Sequence, residues 1–168
     1  MKSGITKWNG DELVNKAGDA LIRAMKHSCL YLEGDIKKNF TKKGSGRKYG
    51  IHRASLPGQP PAINTGALRA STGHEIQQTA TGLIGYVGIN DALLTQNAIQ
   101  GLSKKRMSIS KFHKKLTKAI ASGLKRYGFY LEVGTAKMAP RPYLRPALAR
   151  CDDAIKGFFR DYIRKVFQ

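Results

Sequence analysis

Acidic residues are scarce in this chain. Eleven Asp and Glu stand against thirty Lys and Arg over 168 residues, leaving a formal charge of +19 and a pI near 10.2. Two stretches hold no acid at all. Asp35 and Glu75 bracket Lys37, Lys38, Lys42, Lys43, Arg47, Lys48, Arg53 and Arg69. Asp91 and Glu132 bracket Lys104, Lys105, Arg106, Lys111, Lys114, Lys115, Lys118, Lys125 and Arg126. Like charges at this density repel unless a polyanion or an acidic partner neutralises them. A solvated surface is the plain alternative. Nucleic acid is the obvious partner, since each neutralised phosphate releases counterions.

The same scarcity weighs against catalysis. A nuclease would suit a basic surface, but it usually needs several carboxylates around Mg²⁺. Between Asp35 and Asp152 the chain offers Glu75, Asp91 and Glu132 alone. Asp152 and Asp153 are adjacent, point to different sides of a helix, and read as favourable charge near a helix N-terminus. His27, His52, His74 and His113 are scattered, and none pairs with another ligand at metal spacing. Ser28, Ser55 and Ser71 lack a nucleophile-elbow context. Lys43-Gly44-Ser45-Gly46-Arg47-Lys48 has neither the full phosphate-loop spacing nor a preceding strand. No enzymatic activity, metal or cofactor is expected.

Cysteine is nearly absent as well. Cys29 and Cys151 lie far apart, each within an apolar helical pattern, so buried thiols are expected rather than a disulfide framework. No apolar run approaches the roughly 18 residues of a membrane span. Met1-Lys2-Ser3-Gly4 leads into polar residues without a secretory signal, so the expected compartment is the cytoplasm. The length fits one domain over residues 1–168.

What remains is a pattern of helices, one hairpin and long loops. From Asp11 to Phe40, the residues Leu13, Val14, Ala17, Leu21, Ala24, Met25, Leu32, Ile36 and Phe40 recur at helical spacing. Asn9 is the expected N-cap. Asp11 and Glu12 suit the positive end of the dipole, Lys37 and Lys38 the negative end. Gly18 and Gly34 each cost up to about 1 kcal/mol relative to alanine. A continuous helix of this length spans about 45 Å, enough to reach a neighbouring subunit. Thr41 to Thr65 reads as a long irregular, basic loop, with turn and polyproline chemistry at Leu56-Pro57-Gly58-Gln59-Pro60-Pro61.

Beyond a short capped turn at Asn64–Arg69, strands are expected at His74–Thr79 and Leu83–Ile89, joined at Ala80-Thr81-Gly82. Gly85 and Gly88 imply a bulge or a close backbone contact. Asp91 to Arg126 is a basic segment in which Phe112, Leu116, Ile120, Leu124 and Tyr127 return at helical spacing with lysines opposite them. Such a helix either packs on the core with a solvated back or meets nucleic acid, a membrane surface or an acidic groove. Tyr127 to Thr135 concentrates aromatics and stops at Gly134, expected to be a left-handed cap. Met138 to Tyr143 is extended by its prolines. A closing helix begins near Pro146, its broad apolar face carrying Leu148, Cys151, Ala154, Ile155, Phe158, Phe159, Tyr162, Ile163 and Val166. The expected fold is α+β: a small antiparallel sheet packed against a long N-terminal and a C-terminal helix, with long loops.

Two blocks carry a family signature. One is Ser55-Leu56-Pro57-Gly58-Gln59-Pro60-Pro61 running into Thr65-Gly66-Ala67-Leu68-Arg69-Ala70-Ser71. The other is Tyr127-Gly128-Phe129-Tyr130-Leu131-Glu132-Val133-Gly134-Thr135, followed by Met138-Ala139-Pro140-Arg141-Pro142-Tyr143-Leu144-Arg145-Pro146-Ala147-Leu148. Together, and in this order, they resemble the head–tail connector, neck or tail-completion proteins of long-tailed double-stranded DNA bacteriophages. Asp91–Arg126 is an insertion relative to that pattern, Val133 stands where an aromatic is common, and Gly128 where alanine is common.

The resemblance implies an α+β virion subunit that assembles in the host cytoplasm into a ring, commonly six-fold, at the head-proximal end of the tail. Its partners would be other copies of itself, adjoining neck and tail proteins and, without sequence specificity, genomic DNA, with no membrane, cofactor or activity. On this reading the interface residues are Pro57, Gly58, Pro60, Pro61, Thr65, Gly66, Leu68, Arg69, Tyr130, Glu132, Gly134, Thr135, Arg141 and Arg145. Tyr130, Glu132, Gly134 and Thr135 organise the turn before the last helix. Arg141 and Arg145 pair with Glu132 or with a neighbour's acids, and Pro57–Pro61 forms an arm that docks on a partner. Lys104, Lys105, Arg106, Lys111, Lys114, Lys115 and Lys118 are the candidate polyanion contacts. The competing readings are a dedicated nucleic-acid-binding protein and a metal-dependent nuclease.

Overall fold

A computed structural model describes residues 9–40, 44–50, 52–64, 66–90 and 123–168. The first element, α1 (Gly10–Asn39), is an unbroken helix that runs through both Gly18 and Gly34. Asn9 sits at its N-cap position but does not cap it: the side-chain amide donates to Glu12 Oε2 at 3.0 Å instead. Lys16 pairs with Glu12, and Lys37 with Glu33, at the four-residue spacing that stabilises helices.

A second long helix, here α4 (Leu144–Arg164), starts two residues before Pro146 and packs antiparallel to α1. Three contacts fix that sense. His27 stacks on Phe158 with ring centroids 4.0 Å apart, Tyr31 meets the same ring edge-on, and Asp35 receives Arg150 Nη2 at 2.6 Å. Asp152 and Asp153 therefore lie about two turns into α4, beyond reach of its N-terminal dipole, and Asp152 pairs with Lys156.

The predicted hairpin is present and longer than expected: β3 (Thr72–Thr79) pairs antiparallel with β4 (Gly82–Ile89) around a two-residue turn, Ala80-Thr81. Its register is unbroken from Thr72↔Ile89 to Thr79↔Gly82, so there is no bulge at Gly85 or Gly88. Gly85 marks a close approach instead. A β-carbon there would lie 2.6 Å from Cys29 Sγ and 2.7 Å from Met25 Sδ, so the missing side chain is what lets β4 lie directly on α1. A polar clasp joins the same two elements, because His74 Nδ1 meets Glu33 Oε2 at 2.6 Å.

The irregular loop predicted over Thr41–Thr65 contains a small second hairpin, β1 (Lys48–Tyr49) with β2 (His52–Arg53). Gly46 and Ala54 extend it through the bonds Gly46 N–H to Ala54 O and Ala54 N–H to Arg47 O. A five-residue helix, α2 (Ala67–Ser71), stands where a capped turn was expected, and it leads straight into β3. Another helix, α3 (Leu124–Val133), begins after Gly123, whose backbone is left-handed (φ +64°). Leu124 and Tyr127 belong to α3, and the expected basic helical segment before Gly123 lies outside the described residues.

The core sits where these pieces meet. Ile36 and Phe40 from α1, Leu131 from α3, and Tyr143 and Ala147 from the start of α4 are buried together. Leu68, Val87 and Ile89 close over them. The architecture is α+β, with the β3–β4 sheet and α4 both packing on α1. The apolar stripe of α1 is covered only in part: Ala20, Ala24 and Ile36 are buried, while Leu13, Leu21 and above all Val14 (69% exposed) are open.

Candidate assembly interface

The two signature blocks lie against each other. Leu56-Pro57-Gly58-Gln59 closes a turn through Gln59 N–H to Leu56 O at 3.1 Å. Proline in the second position and Gly58 at φ +77° in the third make this the type II arrangement, which only glycine adopts without strain. The turn is tied back to its own chain at two points. Gly58 N–H donates to Pro140 O at 2.9 Å, and Arg141 Nε donates to Ser55 O at 3.1 Å. Pro61 is buried, Pro60 half-buried, and only Leu56, Pro57, Gly58 and Gln59 stand exposed. The extended, partner-seeking arm expected here is instead a loop folded onto Met138–Tyr143, with a short projecting tip.

Glu132 also has a different occupation from the expected pairing with Arg141 and Arg145. Its carboxylate caps α4. Oε2 accepts the backbone N–H of Tyr143 at 2.7 Å and of Leu144 at 3.0 Å, while Oε1 accepts that of Arg145 at 3.0 Å. The first four N–H groups of a helix have no partner within it. In α4 the fourth position is Pro146, which has no N–H, so one carboxylate satisfies every donor of the helix start. Tyr143, at the N-cap, has no side-chain oxygen that caps from within. A negative charge at this end also suits the helix dipole. The Arg145 side chain is exposed, and Arg141 serves the Ser55 carbonyl.

Between Glu132 and α4 the chain turns on Gly134, whose N–H donates to Tyr130 O at 2.8 Å. Its backbone (φ +84°, ψ 177°) is not the left-handed cap expected, but a conformation open essentially to glycine alone. Thr135 and Met138 then bond reciprocally, Thr135 N–H to Met138 O at 2.8 Å and Met138 N–H to Thr135 O at 3.1 Å. Arg141 N–H returns to Leu131 O at 2.6 Å. The block is a compact scaffold that holds α3, the Pro57 loop and α4 in one arrangement.

Gly128 adds to that compaction. A β-carbon there would sit 2.0 Å from Ile89 Cδ1 and 2.9 Å from the Tyr143 hydroxyl. Tyr143 itself is buried against Phe40, and burial, reinforced by the nearby Glu132 carboxylate, holds its phenol far above the ordinary tyrosine range. Burial likewise raises both thiols, that of Cys29 with help from Glu33 and that of Cys151 with help from Asp35, against the opposing Arg150. Both cysteines are free and buried.

Several other features face solvent. Tyr127, Phe129 (63% exposed), Tyr130 and Val133 form an open aromatic surface on α3. Arg47, Lys48 and Arg53 project on the β1–β2 hairpin, with the Arg47 guanidinium over the Tyr49 ring. Gly66 and the exposed Arg69 line a shallow groove with Lys37, Ile63 and Ala70, whereas Leu68 turns into the core. Thr65 and the candidate polyanion contacts Lys104, Lys105, Arg106, Lys111, Lys114, Lys115 and Lys118 lie outside the described residues. Among the described residues, no group of His, Cys, Asp and Glu could hold a metal ion, and no helix is long and apolar enough to cross a membrane.

Among the described residues, fold and surface together define an α+β chain with a stapled two-block scaffold and several exposed apolar faces. Comparison with protein-family models, with curated proteins and with solved structures finds no match.

Proposed function

We propose that this chain is a non-enzymatic virion protein of a long-tailed phage: a tail-completion or connector subunit that forms a ring at the head–tail junction. The observation that carries the reading is the meeting of the two signature blocks. Segments more than 80 residues apart in sequence converge through Arg141 Nε on Ser55 O and Gly58 N–H on Pro140 O, so they act as one structural unit. A resemblance confined to short stretches is more informative when those stretches hold each other in place. The uncovered faces of α1 and α3 fit a subunit completed by its neighbours, and the basic surface fits the DNA that threads such a junction.

Electron microscopy of the purified protein, alone and with tail tubes, tests the reading. Rings, or a collar at one end of the tube, are the expected result. Leu56→Ser, which alters an exposed side chain of the tip and keeps the backbone ties of the turn, should leave a folded chain with weaker assembly. A permanently monomeric protein that ignores tails, and instead binds duplex DNA tightly with a steep salt dependence, would favour the nucleic-acid-binding alternative. Cleavage of DNA in Mg²⁺ or Mn²⁺ would refute both.

A further inference from the structure

Among the described residues, the β3–β4 hairpin has no strand paired on either outer edge. In an antiparallel ladder, hydrogen-bonded and non-hydrogen-bonded pairs alternate. The two-residue turn makes Thr79↔Gly82 a bonded pair, and Asn90 N–H to Ser71 O fits the same alternation at the other end. The pairs between them then place the backbone N–H and C=O groups of Leu83, Gly85, Val87 and Ile89 outward on β4. Those of His74, Ile76 and Gln78 face outward on β3. Among the described residues, neither strand has a ladder partner on its outer side. Proteins usually blunt such edges with proline, charge, a bulge or a covering element. Here β4 has none of the first three. Gly82–Asn90 contains no charged residue and no proline, its register is unbroken, and its open face shows Ile84 and Tyr86 about half exposed.

We infer that the outer edge of β4 pairs with the outer edge of β3 from a second copy of this chain, so that the sheet continues from subunit to subunit. Charge favours a copy over an unrelated strand. In a protein of +19, two copies repel across most surfaces. At this edge a charge-free strand meets one whose open face carries Glu75 and no lysine or arginine. The two edges are also equal in length, eight residues each. Their sense follows from symmetry. Copies related by rotation about an axis along the strands bring β4 beside the next β3 antiparallel, a head-to-tail contact that closes into a ring when the rotation allows. The inference rests on the assembly reading for its partner, and it names the seam.

Cysteine pairs test it on the full-length protein. Glu75→Cys and Gln77→Cys variants are each mixed with Ile84→Cys and Tyr86→Cys variants under mild oxidation; all four positions are on the hairpin's open face, and the native cysteines are buried. Mixed β3–β4 disulfides exceeding either same-variant dimer several-fold are expected. Hydrogen exchange read at rising protein concentration should slow at Leu83, Gly85, Val87 and Ile89 together with His74, Ile76 and Gln78. Same-variant dimers alone would mean a two-fold contact and overturn the proposal. So would a protein that remains monomeric at high concentration, or protection that appears only when DNA is added. Rings that form with these amides unprotected would sink the seam and leave the junction reading intact. Cross-linked open filaments would keep the seam and count against the junction.

Discussion

Replacing Glu132 with alanine removes the carboxylate that accepts three backbone N–H groups at the start of α4, and the structure sets the size of the loss. Tyr143 is buried, so its bared N–H costs about 1–3 kcal/mol. Leu144 is half-buried and loses a fraction of that, while the exposed Arg145 amide turns to water. Losing a negative charge at the positive end of the helix adds about 0.3–1 kcal/mol. The sum is about 3 kcal/mol, a sizeable share of the 5–15 kcal/mol typical of a domain. Urea unfolding followed by far-ultraviolet circular dichroism should show the midpoint falling by roughly 1–2 M. Glu132→Gln keeps one oxygen for Tyr143 and Leu144 but turns an amide NH₂ toward the Arg145 N–H, so an intermediate loss of about 1–2 kcal/mol is expected. Arg145→Ala, by contrast, should leave the midpoint nearly unchanged. Glu132→Ala within about 0.5 kcal/mol of wild type, or Arg145→Ala matching it, would refute the capping account.

Other perturbations have equally definite outcomes. Gly128→Ala places a methyl group against Ile89 and Tyr143, and it should lower stability by about 1–3 kcal/mol in the same unfolding assay, despite alanine's better helix propensity. Gly134→Ala forces an L-residue into a backbone conformation that disfavours it, within 3.0 Å of Met138 O, and should cost about 1–3 kcal/mol with loss of near-ultraviolet tyrosine signal. Burial alone would raise the Glu33 carboxyl, but Lys37 and His74 hold it below its ordinary value of 4.5. A depressed carboxyl stabilises the fold above that value, and the contribution is lost as pH falls through its folded pKa. Acid unfolding should therefore be shallower in Glu33→Gln than in wild type below about pH 5, with the two curves parallel near neutrality.

The sequence made some of this architecture legible and hid the rest for identifiable reasons. The long helix and the hairpin follow from periodicity, since spacing alone sets which residues share a face. Periodicity does not say what covers the face, which is why Val14 belongs to the apolar stripe of α1 and yet stands exposed. Proline and glycine placed the turn at Leu56–Gln59, but its return onto Pro140 depends on a contact more than 80 residues away. Gly85 was legible as a bulge or a close approach, and the structure makes it a close approach, against Met25 and Cys29. The hairpin of β1 and β2 has strands of two residues, too short for any alternation to register.

Glu132 is the most instructive case. A carboxylate near two arginines invites an ion pair, because side-chain charges are what a sequence displays. Its true partners are backbone amides, which every residue but proline possesses and which carry no sequence signal. One clue was available. The stretch Arg141-Pro142-Tyr143-Leu144-Arg145-Pro146 opens a helix without serine, threonine, aspartate or asparagine at its N-cap, so the donors had to find an acceptor elsewhere.

This assignment changes what an assembly interface can be made of here. Arg141, Glu132, Gly134 and Pro61 help hold this chain's own fold together, so substituting them should perturb the fold as well as any assembly. The groups left for partners are those the scaffold presents: the Leu56–Gln59 tip, the α3 aromatics, the first turns of α1 and the outer strand edges. Among the described residues, large exposed apolar side chains lie on these elements, and others, such as Leu30, Tyr31, Tyr49, Leu148 and Phe167, lie elsewhere. Burying such side chains is worth about 1.5–3 kcal/mol each. On the proposed assembly reading, covering these side chains with neighbouring subunits is where the remaining stability would come from.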